Sequence, residues 1–305
     1  MLEEDKKGIL LESGTNEIEI MEFTINENLY GINVAKVREI MMSTPVKAIP
    51  QVHPAVEGIF KPRDAVLTVV DLPKYLTGES GEKHEKDLFI ITNFNKLFVA
   101  FRVHAVLGIS RISWKDIQRP DSTVSGSGDS VATGIAQCGN NLVTILDFER
   151  IVADIAPQTT IQMSEVESLG YRECREMPVL VAEDSVLLSK MIGEALRKSG
   201  YINVTMFPNG QELWDYLVRN RDATPPGKAS LIITDIEMPQ MDGHRLTKLV
   251  KDAQLFQHIP VIIFSSLITE EMRVKGKQLG ANEQLSKPEI GHLVDVMDHL
   301  LETKA

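Results

Sequence analysis

Short apolar runs, each closing on a polar side chain, recur through the second half of the chain. Val179-Leu-Val-Ala ends on Glu183-Asp184, and Leu231-Ile-Ile-Thr ends on Asp235 and then meets Met238-Pro239. Val261-Ile-Ile-Phe ends on Ser265-Ser266, and Leu285-Ser runs into Lys287-Pro288. Runs that are apolar on both faces are the pattern of buried parallel strands. Between and after them, Val186 to Lys198, Gln211 to Arg219 and Ile290 to Leu301 carry apolar residues at helical spacing. The alternation predicts a doubly wound α/β parallel sheet over residues 177–305. Ligands of such sheets bind beyond the carboxyl ends of the strands, so the polar residues that end these runs are expected to converge on one pocket.

The first half follows a different period. Ile18 to Ile25, Leu88 to Thr92, Lys96 to Val103 and Asn141 to Leu146 are β-rich, separated by turn signals at Asn26-Glu-Asn, Asn93-Phe-Asn95 and Gly139-Asn-Asn. Hairpins of an all-β module are predicted over residues 1–155. Around Ala156 to Ser164 the strand pattern stops, and residues 156–176 are polar enough to be a linker with one helical turn. The run Ser125-Gly-Ser-Gly128 lacks the Lys-Ser/Thr that follows in a phosphate-binding P-loop and reads as a hairpin loop. His53, His84 and His104 have no metal-ligand spacing, and neither a nucleophile elbow nor a His-Glu-x-x-His motif occurs, so no catalytic centre is expected in this half.

Length and composition agree with two soluble domains: 305 residues, 43% hydrophobic and 25% charged. The net charge of -11, with no basic patch, argues against nucleic acid as a partner. Cys138 and Cys174 are too few for a disulfide framework and are expected to be reduced. Met1 to Glu12 lacks the apolar core of a signal peptide, so a cytoplasmic protein without membrane insertion is expected.

Charge dictates the chemistry of the predicted pocket. Glu183, Asp184 and Asp235 would put about three negative charges together, which calls for a hard divalent cation with oxygen ligands such as Mg²⁺. A carboxylate so placed can attack phosphorus to give an acyl phosphate, with Lys287 and the Ser265 hydroxyl each partnering a phosphoryl oxygen. Taken singly, a Lys-Pro is a turn, a Ser-Ser is a cap and a Glu-Asp pair is a helix start. The order of all four, each closing an apolar run, carries the inference. An aspartate-based phosphohydrolase is disfavoured because Glu237 stands where that chemistry places a second aspartate.

Residues from about 177 to 305 resemble the receiver domains of two-component response regulators, from Pro178-Val-Leu-Val-Ala-Glu-Asp-Ser through Asp235-Ile-Glu-Met-Pro-Gln-Met-Asp-Gly243 to Lys287-Pro288. The resemblance implies that Asp235 is the phosphoacceptor and that Glu183, Asp184, Asp235 and the backbone carbonyl of Glu237 hold Mg²⁺. It also implies phosphate-binding or switch roles for Ser265, Ser266 and Lys287. Gln284 departs from the pattern, which has an aromatic three residues before the lysine.

Residues 10 to 155 resemble the coupling protein CheW, a pair of small β-barrels that binds chemoreceptors and the histidine kinase CheA. The resemblance rests on Tyr30-Gly-Ile-Asn-Val-Ala-Lys-Val-Arg-Glu-Ile40 and on Val56-Glu-Gly-Ile-Phe-Lys-Pro-Arg63-Asp-Ala-Val-Leu-Thr-Val-Val-Asp71. It implies that Glu39 and Arg63 lie in the partner-contacting region, with Asp64 where relatives carry glycine. A CheW-like module followed by a receiver, with the opening Gly8 to Glu17, is similar to the CheV family. That similarity implies a non-enzymatic cytoplasmic adaptor at receptor arrays, regulated through Asp235, or a phosphate sink for CheA. Residues 269–280 are the surface expected to be reshaped by phosphorylation.

Overall fold

A computed structural model describes residues 16–302 apart from 64, 80, 82, 95–96, 119–130, 158–160, 171, 267 and 288. Residues 1–15 of the opening segment, Asp64, Asn95, Lys96, Ser125 to Gly128 and Pro288, all named above, lie outside the described residues. The chain forms two compact units, one of Ile18–Ile112 with Ile117–Pro157, the other built on the second half of the chain.

Ten strands make up the first unit: β1 (Glu17–Ile25), β2 (Asn28–Asn33), β3 (Val37–Met42), β4 (Val56–Phe60), β5 (Leu67–Asp71), β6 (Leu88–Phe94), β7 (Leu97–Val103), β8 (Ala105–Ser113), β9 (Ala132–Cys138) and β10 (Asn141–Leu146). They form two five-stranded sheets, ordered β8-β1-β2-β10-β9 and β3-β6-β7-β5-β4. The predicted hairpins form at Asn26-Glu27, where Ile25 faces Asn28, and at Gly139-Asn140, where Cys138 faces Asn141. Asn26 and Gly139 take left-handed backbone angles of φ 53° and 59°, which short side chains or none tolerate. Of the third predicted turn, Asn93 and Phe94 belong to β6 instead, where Phe94 pairs with Leu97 of β7. Two parallel pairings, β2 with β10 and β5 with β7, join segments far apart in sequence and leave no local pattern.

Two short helices close this unit, α1 (Leu72–Thr77) and α2 (Phe148–Ile155), each started by an aspartate side chain, Asp71 or Asp147, that accepts a backbone N–H one turn on. Helix α2 buries Phe148 edge-on to Phe101, at 4.8 Å between ring centroids, and beside Phe23 at 6.2 Å. The core also contains an ion cluster. Arg102, 6% exposed, donates to both oxygens of Glu57 at 2.8 and 2.9 Å and to fully buried Asp87 at 3.3 Å, while lying 4.9 Å over the Phe89 ring. Burial pushes the Glu57 carboxyl up, but hydrogen bonds and charge from Arg102 and Lys83 outweigh it and leave its pKa below the ordinary value.

The second unit is a five-stranded parallel sheet ordered β12-β11-β13-β14-β15, from β11 (Val179–Ala182), β12 (Val204–Phe207), β13 (Leu231–Thr234), β14 (Val261–Ser265) and β15 (Glu283–Ser286). Its helices are α3 (Met163–Ser168), α4 (Val186–Lys198), α5 (Gly210–Arg219), α6 (Gly243–Asp252), α7 (Glu270–Gln278) and α8 (Ile290–Glu302). After β11 to β14, each strand-to-helix connection ends on a side chain that caps the next helix. Ser185, Asn209, Asp242 and Thr269 accept from the N–H of Leu188, Glu212, Arg245 and Met272 respectively. Caps of this kind are worth about 1 kcal/mol each and make the strand ends sharp, so that the residues between strand and cap project over the sheet edge. Two apolar clusters cover the two faces of the sheet, one around Val181, Ile233, Phe264 and α8, the other around Leu180, Ile232, Leu213 and Leu246.

The stretch expected to be a linker with one helical turn contains the short helix α3, but it is also packed: its Ile161 and Val166 are 2% and 4% exposed within the second unit's core. Ile161, Met163, Val166 and Leu169 are scattered among polar residues with too short a run to fix a period, which is why the local pattern reads as linker.

Replacing Arg102 by Met should leave fully buried Asp87 without its cation and half-buried Glu57 with Lys83 alone. The expected loss is about 3–5 kcal/mol in the first unit's unfolding transition, measured by urea denaturation of the full chain.

Candidate functional site

The sheet brings Glu183, Asp184, Asp235, Ser265 and Lys287 to one edge because each directly follows or ends a strand whose register is locked to its neighbours. Asp235 N–H donates to Ala182 O at 3.0 Å, Glu183 N–H to Phe207 O at 2.9 Å and Lys287 N–H to Ser265 O at 3.1 Å. Ladder bonds thus continue past the strand ends and hold the functional residues in line. Carboxylate oxygens of Glu183, Asp184 and Asp235 lie within 4.8 Å of one another, which makes them the group among the described residues arranged to hold a metal ion.

Lys287 ties the cluster together. Its Nζ lies 2.8 Å from Asp235 Oδ2 and 2.6 Å from Glu183 Oε2, and all three side chains are at most 3% exposed. The other oxygens are held by backbone: Ile236 N–H donates to Asp235 Oδ1 at 2.6 Å and Ser185 N–H to Glu183 Oε1 at 3.2 Å. With three formal negative charges against one ammonium, the site has a charge surplus that a divalent cation would offset. Its donors are all hard oxygens, and Asp184 and Glu237 are half-buried, so the residues present fit a hard cation such as Mg²⁺.

Residues outside the expected set also shape the pocket. Gly243, the first residue of α6, packs so tightly that a Cβ there would stand 1.8 Å from the Asp235 carbonyl oxygen. Thr234 Oγ1 donates to that same oxygen at 2.9 Å and Gly243 N–H donates to Ile236 O at 2.9 Å. The glycine in Met241-Asp-Gly243 is the sequence signal for this closeness, legible only once Asp235 is known to be opposite.

Ser265 is buried beneath the same edge and Ser266 is half-buried beside it. Gln284 turns toward α7, where its Nε2 donates to Arg273 O at 2.7 Å. A Cβ on Gly276 would come within 2.3 Å of Gln284 Oε1, so a glycine in the helix makes room for the amide that stands in the aromatic position. In the first unit, Glu39 on β3 and Arg63, beyond β4, form an exposed ion pair at 3.4 Å, with Arg63 77% exposed. His84 and His104 lie ring to ring at 5.4 Å, while the His104 ring nitrogen Nδ1 accepts from Asn26 N–H.

The CheW-like domain family matches residues 19–156, and the response regulator receiver domain family matches residues 179–298. Chemotaxis protein CheV3 of Helicobacter pylori (strain ATCC 700392 / 26695) is 30% identical, with 95% of this chain and 96% of that protein aligned. The chain belongs to the CheV family of chemotaxis proteins. CheV1 of the same strain is 25% identical over 94% of each chain. Among solved structures, the scaffolding protein TtCheW from Thermoanaerobacter tengcongensis aligns with 42% of this chain and 88% of its own, at 25% identity and a TM-score of 0.38. The CheV-family chain is therefore a chemotaxis coupling protein made of a CheW-like unit and a receiver unit. Among its described residues no helix is long and apolar enough to cross a membrane.

Near the pocket, burial and then the charge of Lys275 push the His244 imidazole down to about 3, and its Nε2 is buried without a hydrogen-bond partner. A folded pKa below the unfolded value of about 6.5 means that the unfolded chain takes up the proton first, so stability falls as pH drops below about 6.5. His244→Leu should abolish this component, about 2 kcal/mol at pH 5 relative to pH 7.5, in parallel denaturant titrations of the two proteins. A second expectation concerns Gly243→Ala, whose methyl must displace the Asp235 backbone. Thermal unfolding should show a loss of about 1–3 kcal/mol.

Proposed function

We propose that this CheV-family protein couples chemoreceptors to the histidine kinase CheA through its CheW-like unit, and that phosphorylation of Asp235 adjusts the coupling. The observation that carries the proposal is the buried trio of Asp235, Glu183 and Lys287, with Asp184 alongside and carboxylate oxygens within 4.8 Å of one another.

The chemistry is a phosphoryl transfer. An Asp235 carboxylate oxygen attacks the phosphorus of a phosphohistidine on the kinase, the P–N bond breaks, and the leaving imidazole keeps the electron pair and takes a proton from water. Ile236 N–H fixes the rotamer of Asp235, and the Lys287 ammonium moves from the carboxylates to a phosphoryl oxygen as charge builds there. Ser265 lies at the same edge to donate its hydroxyl to a second phosphoryl oxygen, with Ser266 beside it. Held by Glu183, Asp184, Asp235 and the Glu237 carbonyl, Mg²⁺ would offset the carboxylate charge and neutralise the incoming oxygens. The receiver is an acceptor whose acyl phosphate is lost by hydrolysis, and the chain turns over no external substrate.

The exposed Glu39–Arg63 pair supports a partner-contacting role for that surface of the CheW-like unit, in the cytoplasm beside receptor tails.

Asp235→Asn should lower label transfer from phospho-CheA at least about a hundredfold, because the amide has no nucleophilic oxygen of comparable strength. Undiminished labelling of Asp235→Asn would remove the acceptor role. Receptor-dependent CheA activity, compared with Asp235 free and loaded with beryllofluoride, then separates adjustment from storage. Equal activity in the two states would make the receiver a phosphate sink.

A further inference from the structure

Residues 161–170 and 172–176 lie along α8, attached at both of its ends. At the start of that helix, Glu165 Oε2 accepts the N–H of Gly291 at 3.1 Å. At the far end, Arg175 Nη1 pairs with Asp298 Oδ1 at 2.7 Å and Nη2 with Glu302 at 3.2 Å, and Arg172 also pairs with Asp298. Arg175 reaches the Tyr201 hydroxyl at 3.3 Å, and its N–H donates to Gly200 O at 2.7 Å. Between these attachments, Ile161 and Val166 are buried with Ile290, Leu293, Val294, Met297 and Leu301.

The front attachment sits four residues from the phosphate-binding lysine. Lys287 Nζ touches Asp235 and Glu183, and the turn after it is stiffened by two bonds: Glu289 N–H to Ser286 O at 2.9 Å and Ser286 N–H to Glu289 Oε2 at 3.3 Å. Ile290, fully buried, follows, and Gly291 N–H is the Glu165 contact. A shift of Lys287 toward a phosphoryl group therefore acts over a few residues of chain on the Glu165–Gly291 contact at this end of α8.

We propose that residues 161–176 are a strap that the receiver docks on its own α8 when Asp235 is free and releases when Asp235 carries phosphate. The inference rests on the acceptor role of Asp235. The far end is held by ion pairs whose Arg172, Arg175 and Asp298 side chains are 14–23% exposed and by a backbone bridge from Arg175 to Tyr201. Among the described residues, the front end has only Ile161 and Val166 as fully buried apolar residues beside the Glu165 contact, and a segment with so small a core of its own opens locally before the domain unfolds. Release would lengthen the tether between the receiver and the CheW-like unit and so lower the effective concentration of one at the other's binding site. Coupling of this kind is reciprocal, so weakening the seat favours the phosphorylated state.

Hydrogen exchange of the full-length protein, with and without Mg²⁺ and beryllofluoride, tests this, with loading followed by intact mass in the same samples. Amides of 161–176 are expected to exchange about tenfold or more faster on loading. Glu165→Ala should show fast exchange without loading and a several-fold lower beryllofluoride requirement, while Glu165→Gln, which keeps an acceptor for Gly291 N–H, should stay near the unsubstituted protein. Full loading with unchanged or slower exchange overturns the strap and leaves Asp235 as the acceptor. Failure to load overturns the acceptor reading, and the strap with it.

Discussion

A lysine ammonium buried between two carboxylates is the interaction on which the second unit is organised. Isolated charges at 3% exposure are costly, and Lys287, Glu183 and Asp235 are tolerable there only because each offsets the others and backbone N–H groups take the remaining oxygens. The arrangement is still acidic, since Asp184 adds a carboxylate within 4.8 Å. That surplus is what makes the pocket receptive to a cation and, with it, to a phosphoryl group. In the proposed transfer the same lysine is the charge that moves, held by carboxylates here and drawn to a phosphoryl oxygen there.

Such a cluster needs a rigid frame, and the frame comes from ordinary elements. Four capped helix starts keep the strand ends short, and Gly243 lets α6 close against the Asp235 carbonyl. Motion is left to few places. Gln284 is held to α7 through the Arg273 carbonyl and fits over Gly276, so the link between β15 and that helix is an amide clasp at the position where the receiver pattern has an aromatic ring. On the other side of the pocket, the turn after Lys287 leads directly to the Glu165–Gly291 contact.

The first unit meets its burial problem in a similar way at a place without chemistry. Arg102 bridges Glu57 and Asp87 while stacking on Phe89, so here an ion cluster serves packing, whereas the cluster of the second unit is the one proposed for phosphate chemistry. The Glu39–Arg63 pair proposed for partner contact is, by contrast, a solvent-facing one.

Much of this was legible from the chain itself. The β-rich segments and their Asn- and Gly-bearing hairpins, the four apolar runs, and the polar residue ending each are local properties, written in residues a few positions apart. The ordering of Glu183-Asp184, Asp235, Ser265 and Lys287 could therefore be assigned to one sheet edge from sequence. Other features depend on partners far away: the β2–β10 and β5–β7 pairings, Arg102 with Glu57, Gly243 under Asp235, and Gln284 against Gly276. Residues 161–176 show the limit most clearly, since polar composition reads as linker, while Ile161, Val166 and Glu165 are placed by a helix more than a hundred residues on. Hydrophobic period and turn chemistry determine elements and their ends; which side chains meet across the molecule was decided by packing, because burial energy is gained only when the tertiary partner is present.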